Sequence, residues 1–244
     1  MLSTPMLVKA FGRTERGNIR PVNEDDFFFS TELGLYFVAD GLGGHPGGEI
    51  ASSLTISLAT GLFAGLDQPW TRTNLLAVIN RVNQEVKDYG TENHDYRGLG
   101  TTLTGVMVDS GTNRWLVHVG DSRLYGLYSA GNCKQLSVDQ TLAMEAVSRG
   151  ILPLKEAPAH PYWHVLNSCV GGPLLTPQVE RLEGDFIGFL LCTDGLSNAI
   201  SRAEIEQAFR QNGPRPETLV NQLVKLALNR GGLDNITAVA VAES

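Results

Sequence analysis

Cysteine is scarce in this chain. Cys133, Cys169 and Cys192 lie far apart, and no CxxC pair occurs. That excludes a disulfide framework and points to a reducing, cytoplasmic setting. No run approaches the roughly 18 apolar residues of a membrane span. Residues 1–14 lack the apolar stretch of a signal peptide. Cations are also in deficit. Nineteen Lys and Arg face 26 Asp and Glu, a formal net charge of -7, which argues against a nucleic-acid partner. Neither GxxxxGK[ST] nor GxGxxG phasing is present, which weakens any reading as a nucleotide-binding domain. No internal repeat or low-complexity tract is visible.

What is present is a soluble-protein composition, 42% hydrophobic over 244 residues, enough for a full core. Its focal stretch is 35–49. An apolar run over 35–39 delivers Asp40 into Gly41, Gly43, Gly44, Gly47 and Gly48. The run suits a buried strand, and the glycines let the backbone approach a ligand closely.

The pattern along the chain alternates strands and helices. Strands are predicted over 7–13, 27–29 and 35–39, the last two paired through a short turn. Apolar residues at helical spacing predict helices over 48–65 and 70–89, the second capped by Thr71 or Thr73, with a loop over 90–100. Strands at 101–108, 115–119, 124–128 and 133–136 read as a meander. A helix is predicted over 138–150 inside an irregular, proline-rich region at 137–179, the best candidate for substrate contact. A strand at 186–192, helices at 202–211 and 217–229, and a strand at 236–242 complete the chain. Ser201 and Glu204 form a capping-box pair before the first of these helices. Asn235-Ile236-Thr237 fits a glycosylation pattern that has no meaning in a cytoplasmic chain.

Five acids sit in comparable places. Asp25 precedes a strand, Asp40 and Asp194 end apolar runs, Asp121 breaks two strands, and Asp234 precedes the last one. Carboxylates meeting at strand ends repel one another unless a cation joins them. All are hard oxygen donors suited to Mg²⁺ or Mn²⁺. Two such ions about 3.5–4 Å apart are a common device for phosphate-ester hydrolysis. Arg20 offers a bidentate clamp for a phosphate. Each Asp-Gly pair taken alone is also an ordinary turn, and Arg20 alone an ordinary surface ion pair. Spacing therefore leaves two classes open, a metal-dependent hydrolase or transferase and a small-molecule or nucleotide-binding domain using residues 43–48. His45 lies between glycine and proline in the central loop, where an imidazole can protonate a leaving alkoxide or organise water. His118 alternates with Val117 and Val119 and reads as structural, and His160 and His164 read as packing or loop hydrogen bonds.

Six ordered motifs resemble the PP2C-type metal-dependent Ser/Thr protein phosphatases in their compact bacterial form. Arg20-Pro21-Val22-Asn23-Glu24-Asp25 is similar to RxxNED, and 38–45 to ADGMGGH with Leu42 for Met. Gly100-Thr101-Thr102 matches G(T/S)T, and Val119-Gly120-Asp121-Ser122-Arg123 matches VGDSR. Thr193-Asp194-Gly195 resembles SDG, and Asp234-Asn235-Ile236-Thr237 matches DNIT.

The resemblance implies an α+β fold, a four-layer α-β-β-α sandwich of two antiparallel sheets with helices on both outer faces, in one domain over 1–244. It implies a binuclear Mg²⁺ or Mn²⁺ centre held by Asp25, Asp40, the Gly41 carbonyl, Asp194 and Asp234, with Glu24 acting through water. A third, weaker metal would lie between Asp121 and Asp194. Arg20 would bind phosphate, and a metal-activated water would attack phosphorus in line, without a phosphoenzyme. The region 137–179 corresponds to a flap that gates substrate, in which Asn167-Ser168 stand where relatives carry Thr-Arg. The general-acid histidine that animal members carry after Asp-Gly is Leu42 here, so that role does not transfer. Substrates would be phosphoserine and phosphothreonine proteins, opposed by a bacterial Ser/Thr kinase, and the protein is expected to act as a monomer. The alternative is a catalytically silent module on the same fold that binds phosphoproteins.

Overall fold

The computed structural model describes residues 8–42, 47–109, 113–172 and 176–243. The chain runs β1 (Val8–Glu15), β2 (Asp25–Ser30), β3 (Leu35–Asp40), α1 (Gly48–Ala64), α2 (Arg72–Glu92), β4 (Leu103–Val108) and β5 (Arg114–Val119). It continues through β6 (Arg123–Tyr128), β7 (Cys133–Gln135), α3 (Leu142–Ser148), β8 (Gln178–Leu182) and β9 (Phe186–Cys192). It closes with α4 (Asp194–Ser197), α5 (Arg202–Asn212), α6 (Pro216–Asn229) and β10 (Ile236–Glu243).

The strands form two antiparallel sheets, ordered β1-β10-β9-β6-β7 and β2-β3-β4-β5-β8. Three apolar layers hold four layers of structure together. Along β3, Leu35, Phe37 and Ala39 pack with Ala59, Phe63, Ile79 and Val82 of α1 and α2. Tyr36 and Val38, on the other face, pack with Phe189, Leu191 and Val239 of the opposing sheet. The outer face of that sheet covers α5 and α6 through Leu190, Ala238, Phe209, Leu219 and Leu223. Because β3 is buried on both faces, its sequence is a continuous apolar run and does not alternate. The expected α-β-β-α sandwich is what forms.

Local signals act as expected at several ends. The Thr71 hydroxyl accepts from the Asn74 N–H (3.3 Å) at the start of α2. The Ser201 N–H donates to Glu204 Oε2 (3.0 Å) before α5. The three cysteines are free and buried. Among the described residues, no helix is long and apolar enough to cross a membrane.

Three expectations are corrected. The strands from 101 to 136 are not one meander, because β4 and β5 belong to one sheet and β6 and β7 to the other. The chain changes sheets at Gly120–Ser122, and Gly120 makes the change at φ 107°, a conformation that favours glycine. The helix expected over 138–150 is only Leu142–Ser148, because Val138 and Gln140 spend their backbone groups on Gln178 and on Gly120 and Asn167. Part of the loop expected over 90–100 is helical: α2 runs to Glu92 and stops where the Asn93 side chain bonds the Tyr89 carbonyl (2.8 Å).

Candidate active site

The β2–β3 hairpin register places Asp25 directly opposite Asp40. Two carboxylates therefore meet at one end of the sheet pair because a short turn sits at the other. Asp194 follows β9, Asp234 precedes β10, and Asp121 occupies the crossing between sheets. Arg20, Glu24, Asp40, Gly41, Asp121, Asp194 and Asp234 line a single cleft of about 620 Å³, with Asp25 at its floor. A larger depression of about 710 Å³, lined by 8–11, 29–32 and 214–218, gathers no comparable set of charged groups.

Threonines fix the floor. Thr193 and Thr237 hydroxyls donate to Asp25 Oδ2 at 2.8 and 2.7 Å, so this buried carboxylate stitches the two sheets together. Asp25 Oδ1 is buried and has no partner. The Asp40 N–H donates to Thr102 Oγ1 (2.9 Å), and the Asp40 carbonyl accepts from the Thr102 N–H (2.9 Å) and the Thr101 hydroxyl (2.8 Å). Those bonds explain why β4 starts two residues later than its sequence suggests. The Asn235 side chain ties down the loop that carries Arg20. It donates to the Arg16 and Val22 carbonyls (2.8 and 2.9 Å) and accepts from the Glu24 N–H (2.9 Å). Asn235 is only 4% exposed, so the glycosylation pattern is sterically closed. At Gly41, a Cβ would lie 2.3 Å from the Gly48 carbonyl oxygen, and only glycine fits.

Electrostatics report crowding of like charge. Burial raises Asp25 to about 7, against the hydrogen bonds from Thr237 and Thr193, with Asp194 and Asp234 adding to the rise. Asp40 and Asp121 are pushed well above the ordinary carboxylate range, first by burial and then by neighbouring carboxylates. Burial and Asp234 also raise Asp194, while a hydrogen bond with Asp40 and the charges of His164 and Arg20 oppose the rise. Burial raises Glu24, with Glu49 adding to it.

A divalent cation fits this donor set. It would relieve the mutual repulsion and give the orphaned Asp25 oxygen a partner. Among the described residues, no three His, Cys, Asp or Glu side chains are drawn tightly enough to hold a metal ion as they stand. Asp234 is instead engaged by Arg20, whose Nη2 lies 2.8 Å from Asp234 Oδ2.

The histidines divide. His118 is fully buried between the Thr104 hydroxyl (2.8 Å) and the Val138 carbonyl (3.0 Å), a structural role as expected. His160 accepts from the Tyr162 N–H (3.2 Å) within its loop. His164, expected to pack or bond within its loop, lines the cleft and faces Asp194 electrostatically. Nothing in its local pattern distinguishes it from His160, because its placement depends on the path of the segment over 137–172. His45, with Gly43 and Gly44, lies outside the described residues.

That segment is fastened to the body where Val170 exchanges backbone bonds with Thr101 (3.0 and 2.9 Å) and, at its start, through Gln140. Its N–H donates to the Gly120 carbonyl (2.8 Å) and its Oε1 accepts from the Gly120 N–H (3.0 Å). Its Nε2 donates to the Thr176 carbonyl (2.8 Å), and its own carbonyl accepts from the Asn167 N–H (2.9 Å). Asn167 Nδ2 donates to Glu145 Oε2 (3.0 Å) and Ser168 Oγ accepts from the Thr176 N–H (2.9 Å). Asn167 and Ser168 are thus used for bonds inside the segment.

Comparison with known proteins agrees with this geometry. The family model described as protein phosphatase 2C matches residues 18–226. The serine/threonine protein phosphatase PstP of Mycobacterium tuberculosis (strain CDC 1551 / Oshkosh) is 33% identical over 246 residues, covering 98% of this chain. The chain spans 46% of that relative's length. A putative protein phosphatase 2C-type of Streptococcus pyogenes serotype M6 is 32% identical, covering 94% of this chain and 95% of that protein. A crystal structure of the catalytic domain of PstP in complex with two manganese ions superposes with a TM-score of 0.84 at 31% identity, covering 98% of this chain and 99% of that one.

Proposed function

The chain belongs to the protein phosphatase 2C family, and from that premise we propose that it is a metal-dependent protein serine/threonine phosphatase. The observation that carries this is the meeting of Asp25, Asp40, Asp121, Asp194 and Asp234 with Arg20 at one cleft, five acids and one guanidinium contributed from both sheets.

In this reading Asp25, Asp40, the Gly41 carbonyl, Asp194 and Asp234 hold two Mg²⁺ or Mn²⁺ ions, with Glu24 acting through water. Asp121 and Asp194 hold a third ion more weakly. The related structure with two manganese ions supports the metal type. When bound, the metals supply Lewis-acid activation of water and neutralise charge on the phosphoryl group. Arg20 orients the phosphate through its guanidinium fork. Asp25 is held by two threonine hydroxyls, which orients its carboxylate in advance. The 244 residues act as one domain, and 137–179 form a flap that borders the cleft through His164, Val165, Leu166 and Cys169. Substrates are phosphoserine and phosphothreonine proteins of the cytoplasm, phosphorylated by a bacterial Ser/Thr kinase.

The test is release of inorganic phosphate from a phosphothreonine peptide with Mn²⁺, with Mg²⁺ and with EDTA. Turnover that requires added metal and is lost on chelation supports the reading. No turnover with either metal, from folded protein, overturns it in favour of a silent phosphoprotein-binding module.

A further inference from the structure

Several large apolar side chains left in solvent belong to the loops that carry the cleft's Arg20 and Asp234. Ile19 is 66% exposed, Val22 50% and Leu233 72%. Ile19 and Val22 flank Arg20 in sequence, and Leu233 precedes Asp234. The two loops that carry them run side by side. The Asn18 N–H donates to the Gly232 carbonyl (2.7 Å), and Asn18 Nδ2 donates to the Gly231 carbonyl (3.0 Å). Two positions further along each loop, Arg20 meets Asp234 at 2.8 Å. Ile19 and Leu233 therefore lie on neighbouring loops between these two pairings, each next in sequence to a residue that lines the cleft. On the flap bank, Val165 lines the same cleft and is 42% exposed. Neither loop needs these side chains for its own fold, since both are tied by Asn18, Asn235 and the Arg20–Asp234 pair.

Isolated exposed aliphatics are ordinary, but a group of them at the rim of a polar site marks a contact surface. The interior of this cleft is acidic, and the chain as a whole carries a net charge of -7. Acidic residues on either side of a phosphoresidue would be repelled there, whereas apolar ones would find a matching surface.

We propose that Ile19, Val22 and Leu233 form a docking bank that selects phosphoprotein segments with large aliphatic or aromatic residues beside the phosphoserine or phosphothreonine. This inference rests on the phosphatase reading and names its substrate class. Binding covers the three side chains and positions the phosphate at Arg20.

The test uses the Mn²⁺-loaded full chain and three phosphothreonine peptides of equal length, with leucine, serine or glutamate at the flanking positions. p-Nitrophenyl phosphate, which has no flanks, reports the chemistry alone. The expected result is kcat/KM for the leucine peptide about 10-fold above the serine peptide, carried by KM, with the glutamate peptide lowest. In the double variant Ile19→Ser, Leu233→Ser, the leucine-to-serine ratio falls to about one while p-nitrophenyl phosphate kinetics stay within about two-fold of wild type. Both positions are at the surface, so the variant retains its fold. No discrimination in the wild type, or discrimination that survives in the variant, overturns the docking bank and leaves the phosphatase reading intact. Failure to hydrolyse any of the four compounds removes that reading first. Sedimentation covers the remaining occupant, because a wild-type dimer that becomes a monomer in the double variant assigns the patch to self-association and overturns the proposal.

Discussion

Arg20 Nη2 lies 2.8 Å from Asp234 Oδ2, so the guanidinium that lines the cleft is already paired with one of its acids. Both side chains are a third or more exposed, at 40% and 33%, which makes the pair a minor contributor to stability. Its meaning is functional, because a guanidinium held by one edge leaves further donors for a phosphate. Replacing Arg20 with alanine is expected to raise KM for a phosphothreonine peptide roughly 10- to 100-fold, with a much smaller change in Mn²⁺ affinity. Steady-state kinetics with calorimetric Mn²⁺ titration check this. Loss of Mn²⁺ affinity with unchanged KM would contradict the role given to Arg20.

Asp194→Asn is expected to abolish Mn²⁺-dependent turnover while the metal-free fold survives. Asp194 stands under repulsion from Asp234, so removing its charge does not destabilise the metal-free protein. Its melting temperature should match or exceed that of wild type, and the rise caused by Mn²⁺ should shrink. Full activity in this variant would rule out the assigned role of Asp194.

The proton on Asp25 gives metal stabilisation a pH dependence. Burial raises its folded-state value to about 7 from an ordinary 3.8. The unfolded chain ionises Asp25 near the ordinary value and the folded, metal-free chain does not. Ionisation thus favours the unfolded state, and stability from this group declines as pH rises from about 4 to about 7. A metal ion must displace the same proton. The Mn²⁺-induced increase in melting temperature is expected to be small at about pH 5.5 and to grow to a plateau above about pH 7.5. Melting curves with and without Mn²⁺ across that range are the measurement, and an increase independent of pH would count against it.

Phe189 is fully buried between the sheets, with its ring centroid 5.2 Å from that of Phe186. Phe189→Ala is expected to cost about 3–5 kcal/mol, read from the midpoint of urea unfolding. Across the same sandwich, Arg114 grips Glu243 through its Nε at 3.0 and 2.8 Å, with the Glu243 side chain only 2% exposed. Arg114→Ala leaves that carboxylate buried without its partner and is expected to lower stability by about 3–5 kcal/mol. A loss below about 1 kcal/mol in either variant would show that the surrounding core relaxes around it.

The hairpin of Asp25 and Asp40 was legible because a short turn and two apolar runs leave little freedom of register. Helix ends at Thr71 and Ser201 were legible for the same reason, since capping is decided within four residues. The crossing at Asp121 was not. β5 and β6 are similar short apolar strands separated by three residues, and which sheet each joins depends on partners as distant as β8 and β9. The convergence of Asp194 and Asp234 on Asp25 likewise passed through family resemblance, because no local pattern brings residues so far apart in sequence together. Thr193 and Thr237 sat inside the recognised motifs, yet their bonds to Asp25 appear only once β9 and β10 pair. His164 differs from His160 only in where the flap carries it.

Gln140 joins Gly120, Asn167 and Thr176 through four hydrogen bonds at the root of the flap. A second anchor lies at the far end, where Val170 exchanges backbone bonds with Thr101 (3.0 and 2.9 Å), the residue whose hydroxyl holds the Asp40 carbonyl. What lies between the two anchors, residues 141–166, behaves as an interchangeable part, open to exchange for another loop of similar reach provided Gln140 and the Val170–Thr101 pairing are kept. Substrate preference in this scaffold can therefore be rebuilt by transplantation, with the metal chemistry left in place.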